Sequence, residues 1–285
     1  MLDQIILNGL MLGAIYACIA VGFSLVWGVL NVINMLHGGF IILGGYLTFF
    51  SWLHFGIHPF VSLFPVAMLL FGLGYVLQRT LINQVVSKPV LTTLTLTFGL
   101  EMILYNTMNL LFTATPRRVA LDMGVLNLGD MLLPYDRVAS MVLALSLTGL
   151  LFLTMRKSKI GRAIVAVRMD KDAASLMGIN VPQIYAITFG IGAFMAGACG
   201  AIVAVIFPIS TSLTGVFLGK AFVICVIGGL GTVPGALAGG LALGLIESIT
   251  GFWFGPQNAI LIGFVLMLVL LVVRPTGLLG RKGYE

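Results

Sequence analysis

Residues 138–180 read "VASMVLALSLTGLLFLTMRKSKIGRAIVAVRMDKDAASLMGIN". Up to Met155 the stretch is uncharged and apolar. From Arg156 it carries eight charged residues, six of them basic. A helix needs ~20 apolar residues to cross a bilayer, and cytoplasmic loops collect Lys and Arg. The stretch therefore reads as a membrane span running out into a cytoplasmic island.

The same pattern recurs on both sides. The chain of 285 residues is 60% hydrophobic and only 8% charged, with a mean hydropathy of +1.14. Apolar segments fall at roughly 5–29, 32–53, 59–81, 90–113, 138–155, 183–207, 216–230, 233–253 and 257–273. They predict an all-α, polytopic transmembrane helix bundle with about 8–9 spans, interrupted or half-helices, and one domain over 1–285. The ~10-residue alternating segments of a membrane β-barrel are missing. Segment 216–230 is short and holds Lys220. It reads as a short crossing in preference to a re-entrant half-helix, whose exposed backbone would have to be covered by protein or line a wet cavity.

Charge sets the orientation. The 156–182 loop, the Arg79–Lys88 loop and the tail with Arg274, Arg281 and Lys282 are basic, hence cytoplasmic. The 114–137 loop balances Arg117, Arg118 and Arg137 against Asp122, Asp130 and Asp136, so it lies outside. The N-terminus is then outside, and an odd number of spans brings the tail in. The net charge of +6 sits in these loops and gives no reason to expect nucleic acid. The start, "MLDQII", has no basic segment ahead of its apolar run and does not read as a cleavable signal. Cys18, Cys199 and Cys225 lie in apolar runs as small packing residues.

Basic residues closing a span account for Arg156, Lys157 and Lys159, but not for residues 170–182. Asp170 can cap a helix through its carboxylate, and Asp172 suits the positive end of the helix dipole. Gly178 offers a left-handed stop, and Pro182 prevents continuation. Between them Ala173, Leu176 and Met177 share one face. A short capped helix with an apolar face outside the bilayer is suited to a partner's groove.

"DAASLMGI" (172–179) resembles the EAA-type motif of ABC-importer permeases: an acidic residue, two alanines, then a glycine four positions after the second. The longer pattern is similar to the LIV-type permeases, which import branched-chain amino acids and related solutes. Its landmarks occur in order: "NGLMLGAIYACIAVGFSLVWGVLNVINMLHGGF" (8–40), "GRAIVAVRMDKDAASLMGIN" (161–180), "GGLGTVPGALAGG" (228–240) and "RPTGLLG" (274–280). There are departures. The family often has Glu where this chain has Gly38 or Gly39, its second loop Arg is Val165 here, and Glu101 stands where relatives carry a small polar residue.

The resemblance implies the permease subunit of an importer in a bacterial inner membrane. A second permease, usually a different chain, would complete the path. Two cytoplasmic ATPases would hold the ATP and Mg, and an extracytoplasmic binding protein would deliver the solute. The coupling loop, with Gly161, Arg162, Asp170, Asp172, Ala173, Ala174, Leu176, Met177 and Gly178, would sit on the ATPase. Branched-chain amino acids are the family default; urea, short amides and organic acids occur in the same family.

Within the membrane, "NVINMLHGGFIILGGY" (31–46) and "VIGGLGTVPGALAGG" (226–240) each place polar residues and Gly pairs before an apolar helix. Paired interruptions point to a transport path. Asn31, Asn34 and His37 are candidates to line it, or they lie at the membrane interface or cap a helix. Glu101, with Thr97 one turn before and Tyr105 one turn after, must face protein or water, because a carboxylate at that depth costs at least ~2.5–3.5 kcal/mol. It is a candidate contact for a solute's amino group, or else a structural group. Lys220 and Glu247 are similar cases and could pair. Gly231, Gly235 and Gly239, and then Gly240 and Gly244, repeat every four residues, a spacing that lets helices approach closely.

Other chemistry fits less well. His54 and His58 are broken apart by Gly56 and Pro59 and gain no further metal ligand. "GVFLGKA" (215–221) has three residues between its glycines where a phosphate loop has four, and Ala221 replaces the hydroxyl that would reach Mg²⁺. The chain is therefore not expected to be an enzyme or to bind a cofactor. A stand-alone secondary transporter, driven by an ion gradient through Glu101 or Glu247, is the competing reading and leaves the 172–179 helix unexplained. An intramembrane enzyme would need a paired nucleophile and base on matching spans, and none is apparent.

Overall fold

The structure is a computed structural model that describes every residue except Met1, Asp122, Gly129, Asp130, Pro275, Thr276 and 280–285. Arg281 and Lys282 of the expected cytoplasmic tail lie outside the described residues. The nine apolar segments are α1 (Leu2–Leu30), α2 (Leu36–Phe55), α3 (Pro59–Thr80), α4 (Val90–Phe112), α5 (Tyr135–Lys157), α8 (Val181–Ile206), α9 (Thr214–Gly228), α10 (Val233–Phe254) and α11 (Pro256–Val273). The island supplies α6 (Lys159–Met169) and α7 (Lys171–Leu176). Among the described residues the architecture is all-α apart from one antiparallel hairpin, β1 (Val125–Leu128) with β2 (Met131–Pro134), in the loop expected to lie outside.

Among the described residues seven helices are long and apolar enough to cross a membrane, and α4 and α11 are not among them. The reason is visible in α4: it has 23 residues, but its threonines, Asn106, Asn109 and Glu101 dilute the apolar stretch. Segment 216–230 is a continuous helix as far as Gly228. With the single 3₁₀ turn Thr211–Leu213 ahead of it, it is long enough to span.

The molecule has two ends. One gathers the island, the α9–α10 turn and the tail: the Cα of Gly231 approaches Gly28, Asn83 donates to the Pro182 carbonyl, and Leu278 N–H donates to the Ile227 carbonyl. The other gathers the start of α1, which meets the hairpin through Gln4 and Leu132, and the 114–121 loop, which pairs with the chain after α8 through Arg117 and Ile209.

Two long helices, α1 and α8, form the centre and are buried over most of their length. They run antiparallel, with Gly22 against Gly192 and Cys199 against Ile15. Each takes a further antiparallel neighbour: α10 lies along α1, and α3 along α8. After each central helix the chain leaves α-helical structure and turns back, over 31–35 behind α1 and over 207–213 behind α8. The next long helices, α2 and α9, meet where Gly38 lies on the Thr214 carbonyl, too close for any side chain at 38.

This corrects one expectation. The interruption that answers 31–35 is 207–213, not 226–240. Residues 229–232 form a tight turn at the island end, with Gly229 and Gly231 at φ +102° and +80°.

Candidate functional site: a polar seam and an exposed loop

Sequence spacing alone puts Thr93, Thr97 and Glu101 on one stripe of α4, and these, with Met108, are the residues that α4 buries. The stripe faces the break after α1. Thr97 Oγ1 donates to the Ile33 carbonyl at 2.9 Å. Glu101 is 7% exposed. Its carboxylate fills the place that a side chain on Gly39 would need, and Thr214 presents its side chain to it. Glu101 Oε2 is buried without a hydrogen-bond partner.

The residues just before α2 behave alike. His37 is fully buried against the edge of Phe23, its Nε2–H donating to the Ile19 carbonyl at 2.8 Å while Nδ1 has no partner. Asn34 is fully buried, and neither its Oδ1 nor its Nδ2 is partnered. Leaving such groups unmade costs ~1–3 kcal/mol each. Their concentration at one break distinguishes this region from ordinary packing. The structure thus places Thr97 and Glu101 against the break after α1 and the start of α2, with His37 at the same helix start but directed at α1. It does not bring Asn31 with them: Asn31 is exposed at the end of α1, at φ +52°. Tyr105 is half-buried a turn beyond Glu101.

A second polar cluster lies between α1, α9 and α10. Lys220 Nζ donates to Glu247 Oε2 at 2.9 Å and to the Tyr16 hydroxyl, and that hydroxyl donates to the same carboxylate oxygen. The possible pairing of Lys220 with Glu247 is therefore realised. Tyr16 was not legible, because an aromatic inside an apolar run carries no sign of its partner.

The glycines divide between two neighbours. Gly240 and Gly244 lie on Ala17 and Gly13 of α1, whereas Gly235 and Gly239 lie on Gly228 and Ile224 of α9. Gly231 sits on Gly28.

In the island, Gly161 N–H donates to the capping Ser158 Oγ, and a Cβ at 161 would strike the Met155 and Thr154 carbonyls. This closes the corner between α5 and α6. Arg162 is exposed and donates to the Lys157 carbonyl. Asp170 Oδ1 accepts from the N–H groups of Asp172 and Ala173 at 2.9 and 3.0 Å. Asp172 sits in the first turn, and Gly178 has φ +82°. Ala174 alone is buried. Ala173 is exposed, and Leu176 and Met177 are 89% and 84% exposed. Among the described residues nothing covers the side chains of Leu176 and Met177.

His58 Nδ1 accepts from Phe60 N–H at the start of α3, and His54 stacks on Phe50. Each imidazole thus has a local structural role.

Membrane-length helices, two returning segments at a shared polar seam and a helical loop outside the bundle define a multi-pass membrane permease. Residues 5–273 match the family described as "Branched-chain amino acid transport system / permease component", and the chain belongs to that family. It is similar to the high-affinity branched-chain amino acid transport system permease protein LivH of Escherichia coli K12, with 31% identity over 99% of this chain and 96% of that protein. BraD of Pseudomonas aeruginosa, of the same description, is 29% identical over 99% and 97%. A probable branched-chain permease of Methanocaldococcus jannaschii is 25% identical over 98% and 93%. No solved structure matches significantly. As a permease component, the chain is not the subunit that hydrolyses ATP.

Proposed function

We propose that this chain is the membrane subunit of an ATP-driven importer of branched-chain amino acids, or of a related small polar solute, in a bacterial inner membrane. The hairpin end faces outward and the island end faces the cytoplasm. All nine long helices cross, α4 and α11 included, as one transmembrane domain over 1–285. The polar seam of Asn34, His37, Thr97 and Glu101 lines the path. In this reading the unpartnered polar atoms exchange hydrogen bonds with the passing solute or its water, and Glu101 meets a solute's ammonium group. Asn31 and Tyr105 stand at the approaches.

A second permease, a different homologous chain, closes the path on the open side of α4. Two cytoplasmic ATPases carry ATP and Mg, and this chain holds no cofactor of its own. An extracytoplasmic binding protein supplies the solute. The loop 156–182 docks on an ATPase through Ala173, Leu176 and Met177. Gly161, Arg162, Asp170, Asp172, Ala174 and Gly178 fix its shape. Gly231, Gly235, Gly239, Gly240 and Gly244 hold α10 between α1 and α9.

One observation carries this reading: a capped helix outside the spans presents Leu176 and Met177 almost fully exposed. In a chain acting alone, that face would be an unexplained liability. The test is affinity isolation of the tagged chain from its host in mild detergent, with mass spectrometry of its companions. An ATPase that accompanies the wild type and is lost on Leu176→Glu supports the docking loop. A chain isolated without ATPase, and active alone under an ion gradient, would make it a secondary transporter.

A further inference from the structure

We propose that Arg117 is an entry contact for the solute's carboxylate, at the outer end of the seam that holds Glu101. The proposal rests on the importer reading and adds to it a cation on the same path.

The seam continues outward along the contact between α2 and α4. Gly39, Tyr46 and Phe50 fall at helical spacing on one face of α2, and Glu101, Met108 and Phe112 do so on α4. Glu101 lies on Gly39, and further along Phe112 stacks on both Tyr46 and Phe50, with ring centroids 5.0 Å apart in each pair. At the helical rise, Phe112 stands ~16 Å beyond Glu101, toward the hairpin end. There the Tyr46 hydroxyl donates to the Thr113 carbonyl at 3.2 Å, and Thr211 Oγ1 donates to Asn109 Oδ1 at 2.5 Å. Polar groups thus lead from Glu101 to the loop that carries Arg117.

The Arg117 backbone is fixed by its pairing with Ile209. Its side chain is half-buried, with Cζ 5.5 and 5.2 Å from the centres of the Phe49 and Phe50 rings. Its hydrogen bonds are long. Nη2 donates to the Phe112 carbonyl at 3.4 Å and to Thr113 Oγ1 at 3.5 Å, and Nε is buried without a partner. Ordinary bonds of this kind centre near ~2.9–3.0 Å. Among the described residues no carboxylate lies within ion-pair distance of Arg117. Arg118, next to it, differs on each count. It is exposed, donates from Nε to the Val205 carbonyl at 3.1 Å and reaches Asp136 at 4.0 Å. One loop therefore holds a committed guanidinium and, beside it, one with donors to spare.

The surroundings of Arg117 select the occupant. Rings beside a guanidinium take up its faces and leave its planar N–H edge for a carboxylate. Half-buried Phe50 and Phe112 offer apolar surface to an aliphatic body attached to that carboxylate. A branched-chain amino acid has both parts, whereas urea and short amides lack the carboxylate. An acidic side chain of a docking protein would meet the more exposed Arg118 first and has no use for the aromatic wall. A zwitterionic solute thus finds a cation at the mouth and a carboxylate deeper in, one for each of its charges.

The experiment uses the full chain, isolated in mild detergent with the subunits that accompany it. Phenylglyoxal, which modifies accessible guanidinium groups, is applied with millimolar leucine, with isopentylamine (leucine without its carboxylate), or with neither. Modification of Arg117 is read by peptide mass spectrometry, with Arg118 as the reference. Leucine should protect Arg117, isopentylamine should not, and Arg118 should react equally in all three. In proteoliposomes, ATP-driven leucine uptake per assembled complex should fall about tenfold in Arg117→Gln and recover in part in Arg117→Lys, which keeps the charge. If Arg117→Gln fails to assemble, protection in the wild type decides the matter.

Equal protection by leucine and isopentylamine would overturn the proposal, as would wild-type uptake in Arg117→Gln. Protection by the unloaded binding protein, but not by leucine, would assign Arg117 to protein docking and overturn it too. In each of these cases the wild type still takes up leucine with ATP. Absence of that uptake in the wild type would instead refute the importer reading, and this proposal with it.

Discussion

The chain buries two carboxylates among its membrane helices and treats them oppositely. Glu247 is enclosed, with Lys220 as its counter-charge and Tyr16 bonding to both. Among the described residues Glu101 has no cation beside it; it lies on a glycine and keeps one buried oxygen unpartnered. Both are nearly inaccessible in the single chain, 8% and 7% exposed, so burial does not explain the contrast. Glu247 joins α1, α9 and α10, the helices that hold one half of the bundle together. Glu101 faces the seam where two broken segments meet. A closed ion pair stabilises a fixed arrangement; an open carboxylate keeps its hydrogen-bonding capacity for something that comes and goes.

Mutations separate the two roles, and the largest effect belongs to the closed pair. Glu247→Gln leaves a buried ammonium without its charge partner and should cost ~3–5 kcal/mol. The readout is a fall in detergent-stable protein and in melting temperature. Adding Lys220→Met to that variant should recover most of the loss, because an apolar replacement of both partners is often neutral. Failure to recover would mean that Glu247 acts through something besides Lys220. Gly244→Leu forces a side chain onto Gly13 of α1, and should cost ~1–3 kcal/mol by the same thermal readout. Asp170→Ala removes two bonds at the start of α7 and should cost ~1 kcal/mol locally. It should weaken ATPase co-purification while leaving the bundle's melting temperature alone. Glu101→Gln comes last in stability, at ~1 kcal/mol or less, since it removes a charge that has no counter-charge to lose.

Much of this was legible from the chain, for a physical reason. A span announces itself through local composition, so all nine apolar segments became helices within a few residues of their expected ends. The cap at Asp170 and the positive φ at Gly178 are also local, written in residue type and spacing. What was missed depends on distant neighbours. "FPISTSL", residues 207–213, reads as an ordinary loop. Its seat against α2 depends on Gly38 and on the pairing of Ile209 with Arg117, more than ninety positions away in sequence. The Gly-rich 226–240 stretch drew attention because its composition matches an interruption, yet it makes a turn and a packing face. Tyr16 needed both Lys220 and Glu247 in space before its hydroxyl had meaning. Span number was the least legible feature: α4 serves as a crossing where protein or water, not lipid, receives its polar side.

The deciding experiment is ATP-dependent uptake by the reconstituted complex carrying Glu101→Gln, normalised to assembled protein and set beside the wild type. A carboxylate that serves the path should leave assembly unchanged on this substitution and lower uptake about tenfold or more, the scale of one lost charge-assisted hydrogen bond of ~1.5–3 kcal/mol. Wild-type uptake in that variant would overturn the assignment. Glu101 would then be a second structural carboxylate, and the difference from Glu247 would have no bearing on transport.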